Sequence, residues 1–236
     1  GWNTPSSWQA HQWGIQGDVP LVADFDGDGR SDLIVWRPSN GMWYILKSSA
    51  NYAGWNTPSS WVAIQWGLKG DKPLIADFDQ DGKPDLIVWR PSNGMWYILK
   101  SSASYAGWNT PSSWQAHQWG IQGDIPLVGD FDGDGRIDLA VWRPSNGMWY
   151  VLKSSANYAG WNTPTSWFAV QWGLPGDTPL TGYFDGDSLA DMVVWRPSNG
   201  MWYILKSSAN YAGWNTPTSW TAIQWGLNGD ILLTVG

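Results

Sequence analysis

Along the chain, apolar and polar residues alternate in short blocks, not at helical spacing. In the first 53 residues, four apolar runs, Trp8 to Trp13, Pro20 to Phe25, Leu33 to Trp36 and Met42 to Leu46, are separated by segments rich in Asp, Gly, Asn, Ser and Pro. Runs this short, aromatic and β-branched, and bounded by turn formers, predict strands. Leu33-Ile-Val-Trp36 and Trp43-Tyr-Ile-Leu46 are apolar at consecutive positions, so both faces of these strands need cover. The last two runs are joined by Arg37-Pro-Ser-Asn-Gly41, whose Asn-Gly predicts a hairpin.

The pattern repeats. Gly17-Asp18, Gly70-Asp71, Gly123-Asp124, Gly176-Asp177 and Gly229-Asp230 lie 53 residues apart, which divides the chain into units 1–53, 54–106, 107–159 and 160–212 and a partial unit 213–236. A four-stranded sheet sandwiched between copies of itself covers both faces of its strands, and a period of this length belongs to that class. The expectation is an all-β protein: a β-propeller of 53-residue, four-stranded blades forming one repeat domain over 1–236. The Trp8-type and Pro20-type runs occur five times and the other two four times. The surplus strands would share an incomplete fifth blade, belong to a larger ring, or pair with another copy in a homo-oligomer.

Composition narrows the function classes. All 20 acidic residues are Asp, a residue that favours caps and turns over helix interiors. A formal charge of −7 argues against nucleic acid or an anionic membrane as partner, and no apolar stretch is long enough to predict a membrane span. The absence of Cys excludes disulfide, thiolate-metal and thiol-nucleophile chemistry. A chain that begins at Gly1 fits a processed secreted form or a trimmed one, and the expected location is secreted or at the cell surface.

The acids are crowded into loops. Asp24-Phe-Asp-Gly-Asp-Gly-Arg-Ser-Asp32 offers carboxylates at Asp24, Asp26, Asp28 and Asp32, a turn at Gly29 and the Arg30 carbonyl. Alternate positions of a tight loop converge on one point, and a hard cation such as Ca²⁺ takes six to eight oxygens. Asp77, Asp79, Asp81 and Asp85 with the Lys83 carbonyl repeat the set, as do Asp130, Asp132, Asp134 and Asp138 with the Arg136 carbonyl. The fourth copy has Tyr183 and Ser188 at two key positions and keeps only Asp185, Asp187 and Asp191. Three strong Ca²⁺ sites and one degenerate site are expected.

A D-x-D-x-D-G-x-x-D loop between two strands of a blade resembles the calcium loop of integrin α-chain propellers and the related FG-GAP and VCBS repeats. At repeat level the resemblance covers essentially the whole chain, and it implies a calcium-stabilised extracellular propeller. More loosely, the calcium loops and Gly-Trp connections are similar to those of integrin-like propeller lectins, which implies glycan binding.

Catalysis is not expected. The only histidines, His11 and His117, stand where other units carry Ile64, Val170 and Ile223, which reads as packing. The 23 Trp residues read mostly as packing too. Yet Trp36, Arg37, Asn40 and Trp43 flank one hairpin, and Trp55 and Trp61 flank a polar loop. Rings beside amide and guanidinium donors suit a sugar. The repeats add Trp89, Arg90, Asn93 and Trp96, then Trp108, Trp114, Trp142, Arg143, Asn146 and Trp149, then Trp161, Trp167, Trp195, Arg196, Asn199 and Trp202. The leading expectation is a multivalent, lectin-like module whose partners are glycans or a surface glycoconjugate. The alternative is a structural or adhesive repeat scaffold with no small ligand.

Overall fold

The computed structural model describes residues 5–228 and 230. It contains four antiparallel four-stranded sheets. The first is β1 (Val19–Ala23), β2 (Asp32–Arg37), β3 (Met42–Leu46) and β4 (Trp61–Gln65), and the second β5 (Lys72–Ala76), β6 (Asp85–Arg90), β7 (Met95–Leu99) and β8 (Trp114–Gln118). The third is β9 (Ile125–Gly129), β10 (Asp138–Arg143), β11 (Met148–Leu152) and β12 (Trp167–Gln171), and the fourth β13 (Thr178–Gly182), β14 (Asp191–Arg196), β15 (Met201–Leu205) and β16 (Trp220–Gln224). The first strands of successive sheets lie side by side, β1 by β5, β5 by β9 and β9 by β13, in the arrangement of propeller blades. Helical segments are three-residue 3₁₀ turns, and among the described residues no helix is long and apolar enough to cross a membrane.

The all-β propeller expected from the repeat is present, with one shift of frame. Each blade takes its fourth strand from the next unit: Leu46 pairs with Trp61 and Met42 with Gln65. The reason lies in the connections. Residues 47–60 fold into two 3₁₀ turns and bring the chain back to the edge of the same blade, where the Lys47 amide donates to the Ser60 carbonyl at 2.8 Å. The short connector after Gln65 crosses to the next blade instead. Trp8 to Trp13, expected as a strand, forms none, because its phase requires a β3-type neighbour that the described residues before it do not supply. The other surplus strand falls in 231–236, outside the described residues.

The core is three slabs between blades. Trp36, Trp43 and Ile45 of the first blade pack with Trp66 against Leu86, Val88 and Leu99 of the second. Trp89, Trp96 and Trp119 meet Leu139, Val141 and Leu152 in the next slab, and Trp142, Trp149 and Trp172 meet Met192, Val194 and Leu205 in the third. Successive residues of β6, Leu86 and Val88 against Ile87 and Trp89, therefore enter different slabs, as period-2 geometry requires of a strand covered on both faces.

Connector and hairpin approach closely at the blade end opposite the Asp loops. The Trp119 amide donates to the Gly94 carbonyl at 2.8 Å, and a Cβ on Gly94, which has φ +67°, would overlap the Gly120 carbonyl oxygen. Gly107, at φ +79°, has nothing within 4 Å of that position. An Ala at either site carries the left-handed penalty of about 1–2 kcal/mol, but only Gly94→Ala also forces two backbones apart. Gly94→Ala is expected to lower the thermal midpoint, read by circular dichroism, by at least about 3 °C more than Gly107→Ala.

Candidate functional site

Each Asp loop joins the first two strands of a blade and folds around its own carboxylates. Asp24 accepts the amides of Gly27, Asp28 and Gly29 at 2.8–3.0 Å. Asp32, fully buried at the start of β2, accepts the Phe25 and Asp26 amides on one oxygen and the Ser48 amide, at 2.6 Å, on the other. Asp26 accepts the Ser49 hydroxyl at 2.5 Å, while its other oxygen, Oδ1, is buried and has no hydrogen-bond partner. One oxygen from each of Asp24, Asp26 and Asp32 lies within 4.8 Å of the others, and Asp77, Asp79 and Asp85, and Asp130, Asp132 and Asp138, form matching groups. Asp79 Oδ1 is likewise buried without a partner.

Electrostatics agree with the donor chemistry. Desolvation raises the pKa of Asp32, pushes that of Asp85 up to about 6 and that of Asp138 up to about 7, despite the hydrogen bonds from Ser48, Ser101 and Ser154. Three converging carboxylates with an orphaned oxygen among them fit a hard divalent cation, which favours oxygen ligands and offsets their charge. The residues that would hold it are Asp24, Asp26 and Asp32 and their equivalents.

The fifth loop position departs from the expected ligand set. Asp28 turns away from the triad to accept the Arg30 amide and guanidinium and the Ser48 hydroxyl, each at 2.9 Å. Asp81 and Asp134 do the same with Ser101 and Ser154. The Arg30 and Lys83 carbonyls face those serine hydroxyls at 3.4 and 3.5 Å. In the fourth loop no triad forms among the described residues. Tyr183 points outward, and Asp185 accepts the Ser208 amide at 3.0 Å and the Ser207 hydroxyl. Desolvation opposes ionisation of Asp185, but the hydrogen bonds from Ser208 and Asp187 together outweigh it and hold the carboxyl down at about 2.

The residues expected to bind a sugar are dispersed. Trp36, Trp43, Trp89, Trp96, Trp142, Trp149 and Trp195 are buried in or beside the slabs, and Trp202 is half-buried. Arg37 forms a two-pronged ion pair with Asp18 at 2.9 Å and lies 4.4 Å from the Tyr44 ring centroid. Arg90, Arg143 and Arg196 repeat this with Asp71, Asp124 and Asp177. Asn40, Asn93, Asn146 and Asn199 are exposed, and each accepts the amide two residues on, as a turn former does. Trp61, Trp114 and Trp167 are half-buried beneath Trp55, Trp108 and Trp161, which keep 37–39% of their surface exposed. Only the Trp55 class and the Asn turns are open to a ligand, and they do not share a pocket.

Two residue classes escaped the sequence reading. Ser48 and Ser49 with their equivalents tie the Asp loop to the following connection, and the only signal for them is the unvarying Lys-Ser-Ser-Ala. Trp66, Trp119 and Trp172 stack at 3.8–3.9 Å on Trp108, Trp161 and Trp214, a role hidden among so many tryptophans.

A family model described as an FG-GAP-like repeat matches residues 24–88 and 77–141. No curated protein matches the chain. Among solved structures, the V. cholerae biofilm matrix protein Bap1 is similar at 20% identity and a TM-score of 0.38; the match covers 80% of this chain and 26% of that one.

In the metal-free chain, Asp85 and Asp138 hold protons in the folded state at pH values where the unfolded chain has released them. Stability therefore falls as pH rises from near 3.8 toward about 7. A bound cation requires the ionised form, so the two effects oppose. The gap between calcium-loaded and chelator-treated melting midpoints is expected to widen from about pH 5 to about pH 7.5.

Proposed function

The chain belongs to the FG-GAP-like repeat family, and we propose that it is a non-catalytic, calcium-clamped scaffold that works outside the cell. The carrying observation is the triad of carboxylates repeated in three loops, two of them with a buried oxygen that nothing else satisfies. Each triad spans the turn between two strands and, through the paired serines, the connection to the fourth strand. An ion there would fix three segments of a blade at once. Extracellular calcium modules bind at about 10⁻⁴–10⁻³ M, which suits permanent occupancy outside the cell. The histidines support a packing role over catalysis: His11 and His117 rest on Tyr52 and Tyr158 at 4.8 and 4.5 Å.

Glycan binding is the second reading, favoured by the regularly spaced, part-exposed rings of Trp55, Trp108 and Trp161. Weak identical sites on a rigid array gain avidity on a multivalent glycan.

Titration calorimetry is expected to find three calcium ions per chain, one per triad, and chelation to lower the melting midpoint. Tyr183→Asp combined with Ser188→Gly restores the loop pattern and should add a fourth ion. No uptake at millimolar calcium, with an unmoved midpoint, would reject the scaffold reading as stated.

A further inference from the structure

Each connector between blades makes two sets of contacts. Trp66 is held to the blade it leaves through its amide and carbonyl, and to the blade it enters through an indole that donates to the Tyr97 carbonyl at 3.1 Å. Asp71 then caps the connector turn and pairs with Arg90 of the entered blade. At the two ends of the array these sets are separated.

Before the first blade, residues 13–18 make only the entering set. The Trp13 indole donates to the Tyr44 carbonyl at 3.1 Å, its ring stacks on Trp55 at 4.0 Å, and Asp18 pairs with Arg37. Residues 8–12 have the sequence of β8, Trp-Gln-Ala-His-Gln, and His11 rests on Tyr52 as His117 rests on Tyr158. That stretch stands in the place of a fourth strand, with no third strand to pair with. After the fourth blade, Trp225 makes only the leaving set: its amide donates to the Gly200 carbonyl at 3.0 Å and its carbonyl accepts the Trp202 indole at 2.6 Å. Asp230 caps its turn, with no guanidinium beside it among the described residues.

The face beside Trp225 is open. Trp225 is 78% exposed where Trp66, Trp119 and Trp172 are sealed, and Phe184 is 56% exposed where Phe25, Phe78 and Phe131 are buried. Ile223 and the half-buried Trp202 belong to the same face. Apolar surface of this extent marks an interaction site, and the three slabs identify what fits it. In each slab this face meets the entering face of another blade, and the first blade carries only residues 8–18 on its own.

We propose that the fourth blade docks head to tail on the first blade of a second copy of this chain, with residues 220–230 taking the place of that copy's residues 8–18. Both segments cannot occupy one place. The N-terminal segment yields because it holds no strand ladder, whereas Trp220–Gln224 is paired along its length with β15. In the docked state Trp225 reaches the Tyr44 carbonyl, Asp230 takes over Arg37, and Phe184 meets Tyr52 as Phe25 meets Tyr105 at 4.7 Å. The contact is heterologous, so every copy offers one inserting end and one receiving end.

Sedimentation velocity from about 1 to about 100 µM is expected to show the intact chain associating. The inserting and displaced residues should then respond with opposite sign. Trp225→Ala and Asp230→Asn, at positions exposed in the single chain, should weaken association at least about tenfold. Trp13→Ala and Asp18→Asn, which loosen the segment to be displaced, should strengthen it. Circular dichroism checks that each variant keeps its strands. Should the Trp13 or Asp18 variant unfold, a synthetic peptide of residues 1–18 carries that arm of the test, because in excess it should dissociate the wild-type assemblies. A monomer at every concentration, weakening by all four substitutions, indifference to Trp225→Ala, or assemblies that ignore the peptide overturns the proposal.

Discussion

Among the described residues neighbouring blades share no backbone ladder, only an isolated bond from the Ala190 amide to the Asp130 carbonyl, so their register depends on the tryptophan that opens each connector. The Trp66 amide donates to the Gly41 carbonyl at 3.1 Å, and its carbonyl accepts the Trp43 indole at 2.7 Å, both in the first blade. Its own indole donates to the Tyr97 carbonyl of the second blade at 3.1 Å. Burial supplies most of the stabilisation, since removing a core Trp costs about 3–5 kcal/mol, but apolar area is non-directional. The polar atoms of Trp66 convert that area into one alignment. Once the connector is pinned there, Asp71 is carried to Arg90, and the Arg90 guanidinium settles over Tyr97 at 4.5 Å.

The two ends of a blade are consequently unlike. At the hairpin end, Asp71, Asp124 and Asp177 are buried, yet each meets a two-pronged guanidinium and caps its own connector turn. A buried carboxylate so paired is satisfied within the protein, and loss of either partner costs about 3–5 kcal/mol. At the loop end, Asp32, Asp85 and Asp138 are as deeply buried but receive only neutral donors. One end is electrically complete; the other gathers three carboxylates with no cationic side chain among their donors. The fourth loop forms no such triad among the described residues: Asp185 turns to the Ser208 amide and Tyr183 replaces a carboxylate.

Strands and Asp loops were legible because they are local: alternating apolar runs, Asn-Gly and spaced Asp report on their own neighbourhoods. Allocation was not. Whether Trp61 closes its own unit or the preceding blade depends on the fold of residues 47–60, and Ser-, Asn- and Pro-rich text specifies turns without direction. Trp36 and Trp55 are the same residue type, but one is sealed in a slab from a central strand and the other surfaces on a connection, a difference set by place in the fold and not by composition. Asp28 matches the spacing of a ligand and is drawn off by Arg30 of its own loop and by Ser48 of the following connection, and the second partner is one that loop spacing does not encode.

Near-identity between units constrains specificity as much as it aids folding. Contacts made by repeated residues recur in every blade, so the exposed Trp55 class can supply number but no discrimination. Discrimination requires positions that vary without disturbing the slabs, and the rim between blades meets that condition: Val62, Gln115 and Phe168 occupy one strand position in successive blades. Filled with apolar side chains, the rim extends the core; lined with amides and an imidazole, it opens a cavity. The same backbone thus spends equivalent positions on stability in two clefts and on a hollow in the third. That division is possible because Trp66, Trp119 and Trp172 hold the blades together independently of what the rim contains.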